Sequence, residues 1–246
     1  MNKGNTYFAR SRVRHKNGLW SNWSSGFEFS IVQPGNVINS FSAPKDQPWG
    51  VIVDSSGNLI SSDFDGAGTI YVHQGISSTT TSNFFSPGTQ PYGLTIDSNG
   101  NLISSDLSTN PRKIYVHDGI SSTVTSSFDT PGNEPLGLAI DSNDNLISSD
   151  SSTDKIYIHQ GISSTISSSF DSPDNVITGI TVDSNDNLIN ADGTTDTIYV
   201  HQGISSTITT SFSSPGSIPR GLTIDPNGNL IVVDGGNTDT IYVVEF

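Results

Sequence analysis

A segment that starts at glycine and ends at aspartate returns five times, its glycines 43, 44, 42 and 42 residues apart: Gly50-Val-Ile-Val-Asp54, Gly93-Leu-Thr-Ile-Asp97, Gly137-Leu-Ala-Ile-Asp141, Gly179-Ile-Thr-Val-Asp183 and Gly221-Leu-Thr-Ile-Asp225. Helical repeats and β-propeller blades both occur at such periods, so the chemistry inside the period has to decide. Each unit turns through Ser-Asn-Gly-Asn or a close variant and continues as Asn-Leu-Ile-Ser-Ser-Asp. It then crosses a polar loop, resumes as Ile-Tyr-Val-His, turns at Gln-Gly or Asp-Gly, and ends in a Ser/Thr-rich run closed by Phe. These segments are short, β-branched or aromatic, and bounded by Gly, Asn, Asp or Pro, which is the punctuation of strands. No window of about eleven residues places apolar side chains at helical spacing. Four strands, a to d, make one blade of an all-β propeller.

The count closes a ring. Strand c recurs at Tyr71, Tyr115, Tyr157, Tyr199 and Tyr242, and strand d at Phe41, Phe84, Phe128, Phe170 and Phe212. The first d, residues 36–41, precedes the first a, whereas the fifth c has no d after it. Five blades closed by strand 36–41 lying beside the last c is the arrangement that leaves no raw sheet edge. Residues 36–246 then form the propeller, with repeats starting near 50, 93, 137, 179 and 221, and residues 1–35 form an attachment arm. The alternative is six blades, with residues 7–41 as a divergent sixth in which Phe29-Ser-Ile-Val32 imitates strand c.

The unit Gly-Leu-x-Ile-Asp-x-x-Gly-Asn-Leu-Ile-x-x-Asp followed by Ile-Tyr-Val resembles the NHL repeat of β-propellers over residues 36–246. The resemblance implies the fold, and a function among scaffolds, ligand-binding ectodomains, lactonases and lyases. Residues 5–32 are different: Thr6-Tyr-Phe-Ala-Arg-Ser-Arg-Val-Arg-His15, Asn17-Gly-Leu-Trp20 and Trp23-Ser24 resemble the last two strands of a fibronectin type III domain. Such segments occur in bacterial surface and phage tail proteins. The resemblance implies an extracellular, cell-surface or virion setting, and a larger assembly contacted through residues 1–32.

Charge narrows the partners. The net charge is −14, and five of the ten Lys and Arg residues fall in the first sixteen positions. The repeats are therefore strongly acidic, which argues against nucleic acid and anionic membranes. No apolar run reaches the length of a membrane span, and no secretory signal peptide is visible. No cysteine is present, and a chain of this length needs neither disulfide nor metal to bury a core.

Among residues that carry chemistry, His73, His117, His159 and His201 end strand c in four repeats, with Val244 in the fifth. Spread around a disc, they are expected to be strand-end side chains beside a turn rather than metal ligands. Asp97-Ser-Asn-Gly-Asn101 and Asp141-Ser-Asn-Asp-Asn145 share the first half of a calcium loop but lack its distal glutamate. They are expected to be hairpin turns. Asp63, Asp106, Asp150, Asp192 and Asp234, each ending strand b, are expected to hold the next loop by side-chain-to-backbone bonds. With His15 the sole histidine outside the set, and Glu28, Glu134 and Glu245 the only glutamates, no convergent catalytic set emerges. The expectation is a chain that is not an enzyme, with no catalytic residue, metal or cofactor.

The repeats differ in one respect. The a–b and c–d turns are nearly constant, whereas the residue before the strand-a glycine is Trp49, Tyr92, Leu136, Thr178 or Arg220, and the b–c loops vary, with Arg112 in the second. In a four-stranded blade the d–a and b–c connections share one face, so one face of the disc is uniform and the other diversified. Varied loops on a rigid scaffold are where binding residues collect. The expectation is a binding module that recognises protein or carbohydrate through Trp49, Tyr92, Leu136, Arg112 and Arg220. A purely structural scaffold or decoration protein is the alternative, and a propeller hydrolase or lyase a third.

Overall fold

The computed structural model describes residues 6–9, 21, 24, 27–30, 34–64, 66–236 and 238–246. Among these every regular element is a β-strand. Five antiparallel sheets of four strands form the ring, and Thr6–Ala9 pairs with Phe27–Ser30 in a separate two-stranded sheet. Strands a are Pro48–Val53, Pro91–Ile96, Pro135–Ile140, Ile177–Val182 and Pro219–Ile224; each touches its two neighbours, so together they line a central channel. Burial follows the radial order: strand b is buried throughout, while strand d is exposed except at its phenylalanine.

Blade 5 is assembled from both ends of the ring-forming segment. Strand d, Val37–Ser42, lies antiparallel to strand c, Thr240–Val244, with Phe41 opposite Ile241 and Ser40 opposite Tyr242. The pairing extends outward, Gly35 N–H donating to Glu245 O (3.0 Å) and Glu245 N–H to Asn36 O (2.9 Å). The six-blade alternative does not hold, because Phe29 lies opposite Tyr7 in the two-stranded sheet rather than in a blade. The remainder of the fibronectin-like segment, apart from Ser21 and Ser24, namely residues 5, 10–20, 22–23, 25–26 and 31–32, lies outside the described residues.

Blade adhesion is written in the Leu-Ile dipeptide that opens each strand b. Alternate side chains of a strand point to opposite faces, so the leucine packs on the preceding blade and the isoleucine on the following one. Leu59 joins Ile231, Val233 and Ile241 of blade 5, whereas Ile60 joins Leu94 and Leu102 of blade 2. The same division holds at Leu102-Ile103, Leu146-Ile147, Leu188-Ile189 and Leu230-Ile231, giving one core cluster per blade junction. Each of these ten side chains is 0 % exposed, a burial worth about 2 kcal/mol apiece by transfer from water.

The strand-a glycines set the bore. A Cβ on Gly50 would stand 2.2 Å from Tyr92 O, on Gly93 2.7 Å from Leu136 O, on Gly179 1.9 Å from Arg220 O and on Gly221 2.3 Å from Trp49 O. Each inner strand leans on the backbone of the next, and the contacts run around the ring back to blade 1. Only a residue without a side chain permits that approach.

Candidate functional site

Strand a carries an extra residue at one place in every blade. Pro48 faces Asp63 and Val51 faces Ser61, so Trp49 and Gly50 together face a single residue of strand b. The same bulge recurs in the other four blades. Gly50, Gly93 and Gly137 lose their ladder partner there, and their N–H groups donate instead to Ser62, Ser105 and Ser149 Oγ at 2.8 to 2.9 Å. Bulges re-aim side chains, and here they turn the five variable residues over one mouth of the channel, with Trp49, Tyr92, Leu136 and Thr178 lining it.

Three of the predicted site residues meet. The Trp49 and Tyr92 rings lie 4.1 Å apart at 52°, and the Arg220 guanidinium sits 4.3 Å over the Trp49 ring. Arg220 Nη1 donates to Pro48 O at 3.0 Å, and its side chain fills the space a Cβ on Gly235 would need. Burial lowers Arg220 from its ordinary value while Asp239 and Tyr92 work to raise it; arginine stays charged throughout. Burial likewise raises the Tyr92 phenol, opposed by Arg220. Leu136 is 8 % exposed and adds apolar wall. Arg112 is committed elsewhere: Nη1 donates to Leu107 O and Thr109 O, and Nε to Asn133 O. Phe64, missed in the sequence, stacks on Tyr92 at 5.8 Å and 27°. Its signal was its place as first residue of the most unusual b–c loop.

The two mouths differ in size. Behind the Trp49–Tyr92 cluster only about 10 Å3 remains open, whereas the opposite mouth, on the uniform a–b face, widens to about 390 Å3. The bulged bulky residues fill one end, and Thr95, Ala139, Thr181 and Thr223 leave the other wide.

The repeated histidines end strand c beside the c–d turn, and they are interior groups. His73, His117, His159 and His201 are each 0 % exposed. Nδ1–H donates to the carbonyl four residues on, in the c–d turn (Ser77, Ser121, Ser163, Ser205; 2.6 to 2.7 Å). That fixes the tautomer, so Nε2 accepts from strand b: from Ser61, Ser104 and Ser148 Oγ at 2.8 to 3.0 Å. In blade 4 the Asn190 amide lies 2.7 Å from His201 Nε2 and its Nδ2 lacks a partner. With the amide turned so that Nδ2 donates to Nε2, both groups are satisfied. Burial lowers all four imidazoles. Blade 5 replaces the polar pair as a unit by Val232 and Val244, both 0 % exposed. A Ser–His distance near 2.9 Å meets a nucleophile–base criterion, but the pairs are sealed from solvent and face Phe41, Phe84 and Phe128 of the preceding blade.

The aspartates serve loops. Asp97 Oδ1 accepts from Asn99 and Asn101 N–H and Oδ2 from Asn101 Nδ2, while Asn101 Oδ1 accepts from Gly119 N–H of the c–d turn. Asp141 and Asn145 repeat the pattern. At the other face Asp150 accepts from Glu134 N–H (2.8 Å) and Thr153 N–H (3.1 Å), tying the d–a loop to the b–c loop. Asp63, Asp106, Asp192 and Asp234 make the same first link. Burial works to raise Asp192, but hydrogen bonds from Thr194, Thr195 and Val176 outweigh it and hold the carboxyl lowered.

Ring, register and channel define a five-bladed β-propeller. No family model matches the sequence, and no curated protein matches it, so nothing beyond a resemblance of repeat pattern links the chain to the NHL type. Solved structures do match. The glutaminyl cyclase of Myxococcus xanthus superposes with a TM-score of 0.69 at 13% identity, over 85% of this chain and 95% of the cyclase. The virginiamycin B lyase of Staphylococcus aureus gives 0.53 at 18% over 80% and 67%, and the WD40 propeller domain of Doa1 gives 0.54 at 13% over 78% and 61%. At these identities the likeness is one of fold. The expectation that the chain is not an enzyme is corrected by the first two, which are named as enzymes on this architecture. Missing cysteines and clustered glutamates do not exclude catalysis on such a ring, because groups brought together only at a channel mouth leave no spacing signature in a repeat.

Proposed function

We propose that this propeller is a recognition module that grips a protein or glycan partner through its diversified face, centred on Trp49, Tyr92, Phe64 and Arg220. One observation carries the reading: aromatic faces and a guanidinium, drawn from different blades, are packed into one cluster on the face whose loops differ more. Trp49, Phe64, Tyr92 and Arg220 are each half-buried, so part of every ring and of the guanidinium stays open to a partner. Aromatic and arginine side chains of this kind dominate binding energy at interfaces. Recognition is a step that binding modules and enzymes share, so the reading stands whether or not chemistry follows. In this proposal residues 1–32 are the arm that joins the propeller to a larger surface or virion assembly, supported by their fibronectin-like sequence.

The test is a screen of immobilised glycans and extracellular proteins with the wild-type chain and with Trp49→Ala/Tyr92→Ala, thermal unfolding serving as the fold control. Every specific wild-type partner should weaken by about tenfold or more in the folded variant. Partners retained at full affinity would refute the proposal.

A further inference from the structure

The wide mouth of the channel lies on the face to which no recognition has been assigned, and its layers run in a definite chemical order. Outermost stand the aspartates of the a–b turns, with Asp97, Asp141 and Asp144 lining the opening. One residue inward is an aliphatic collar formed by Val53, Ile96, Ile140, Val182 and Ile224. One residue further, Thr95, Thr181 and Thr223 stand at one level on blades 2, 4 and 5, and Leu138 and Leu222 form the floor. From Asp97 to Thr95 is two strand residues, about 7 Å of depth.

The threonines are the informative residues. They are 3, 7 and 2 % exposed, yet among the described residues their hydroxyls have no hydrogen-bond partner in the protein, and all three border the cavity. None of the three hydroxyl oxygens is among the sealed polar atoms that lack a partner, so each opens onto the cavity and accepts from whatever enters it. Charge selects what that is. Lys45, Arg112, Lys113, Lys155 and Arg220, the described basic residues, all belong to the d–a and b–c face, while this face adds Asp183, Asp186 and Asp225 to the aspartates of the opening. A cleft walled by apolar side chains under a field of one sign concentrates the opposite charge.

We propose that this funnel binds a primary ammonium group carried on an unbranched aliphatic stem. The ammonium, which has donors only, reaches the threonine hydroxyls, which accept. The methylenes pass the isoleucine and valine collar, and the acidic rim faces whatever the stem is attached to. The depth matches a four-carbon stem such as that of lysine, so a free alkylamine and a lysine side chain of a partner share the required chemistry. An anion meets the wrong field, and a quaternary head lacks the donors. This site is separate from the Trp49 cluster, at the opposite mouth, and its success or failure is independent of the recognition proposed there.

The experiment is a methyl NMR titration of the full chain with n-pentylammonium, 1-pentanol and pentanoate. Pentylammonium should shift the Thr95, Thr181 and Thr223 methyl signals saturably, and its affinity should fall as salt is raised. Pentanol and pentanoate should bind about tenfold or more weakly. The Thr95→Val/Thr181→Val/Thr223→Val variant keeps shape and loses only hydroxyls that make no bond within the protein. It should melt no lower than wild type and lose the preference for the cation, while Trp49→Ala/Tyr92→Ala leaves the titration unchanged. Nα-acetyl-lysine methylamide, set against its Nε-acetylated form, distinguishes the sources: saturation by the first alone admits a lysine side chain, and response to pentylammonium only restricts the site to free amines. Pentanol binding as tightly as pentylammonium, no response to the cation, or an unchanged preference in the triple valine variant would each overturn the assignment.

Discussion

Replacing Ser104 and His117 together by valine gives blade 2 the interior that blade 5 already has at Val232 and Val244, and the consequence is readable in pH. Each of the four interior imidazoles is lowered from the ordinary 6.5 by burial. The unfolded chain therefore takes up a proton at each site as the pH falls through about 6.5, while the native chain stays neutral until lower pH. Protons bound only by the unfolded state subtract from stability, by at most about 1.4 kcal/mol per pH unit for each histidine. Four sites give at most about 5.5 kcal/mol per unit, set against the roughly 5 to 15 kcal/mol that holds a domain folded. Stability is thus intact above about 6.5 and lost below it until the native imidazoles titrate. Carboxylates titrate near 4 in unfolded chains and leave this window to histidine. Urea unfolding at a series of pH values measures the slope. The double variant should show a shallower slope than wild type. His117→Val alone, which leaves the fully buried Ser104 hydroxyl without its partner, should cost about 1 to 3 kcal/mol more than the pair. A wild-type stability that is flat from pH 6.5 downward, or a slope unaltered by the double change, would refute the buried-neutral assignment.

Three further predictions concern the ring. Gly179→Ala drives a Cβ to 1.9 Å from Arg220 O and should lose about 3 kcal/mol or more in urea unfolding; Gly57→Ala, with φ +81° and open space around it, should lose only about 1 kcal/mol. Phe246 packs on Phe212 of blade 4 at 6.3 Å, so Phe246→Ala should lower stability by about 1 to 2 kcal/mol and speed amide exchange in Val37–Ser42. Asp150→Ala removes the acceptor shared by Glu134 and Thr153 N–H and should cost about 1 to 3 kcal/mol, with exchange rising at residues 132–134 and 151–153.

The blade count and the closing strand were legible because a period of about 43 residues and five aligned tyrosines survive inspection without coordinates. The site was legible only in part. Variation at Trp49, Tyr92 and Arg220 marked the face, but the bulge that swings them over the channel is invisible to a two-residue strand period, since it depends on pairing with strand b. Phe64 and Gly235 were missed because their partners, Tyr92 and Arg220, lie on other strands. The strand-end position of the histidines was legible, but their burial was not, because it follows from the Phe of the preceding blade, a contact across a junction. The joint change of Ser and His to Val232 and Val244 was present in the sequence all along. It becomes meaningful once the two positions are known to touch. Sequence placed interest on the varied face, whereas the larger cavity opens on the uniform one, where small residues happen to face the axis.

The pairing of Val37–Ser42 with Thr240–Val244 also sets a timetable. A ribosome delivers the first partner some two hundred residues before the second, so blades 1 to 4 can form during translation while the ring gapes at one seam. Until the late strand emerges, an early strand with apolar Val37 and Ile38 waits with its hydrogen-bonding edge bare, a template for neighbouring nascent chains. Chaperone dependence, force-induced rupture and polysome-stage misassembly should all localise to that seam, and a circularly permuted gene opened between blades 1 and 2 would carry the weak point there with it.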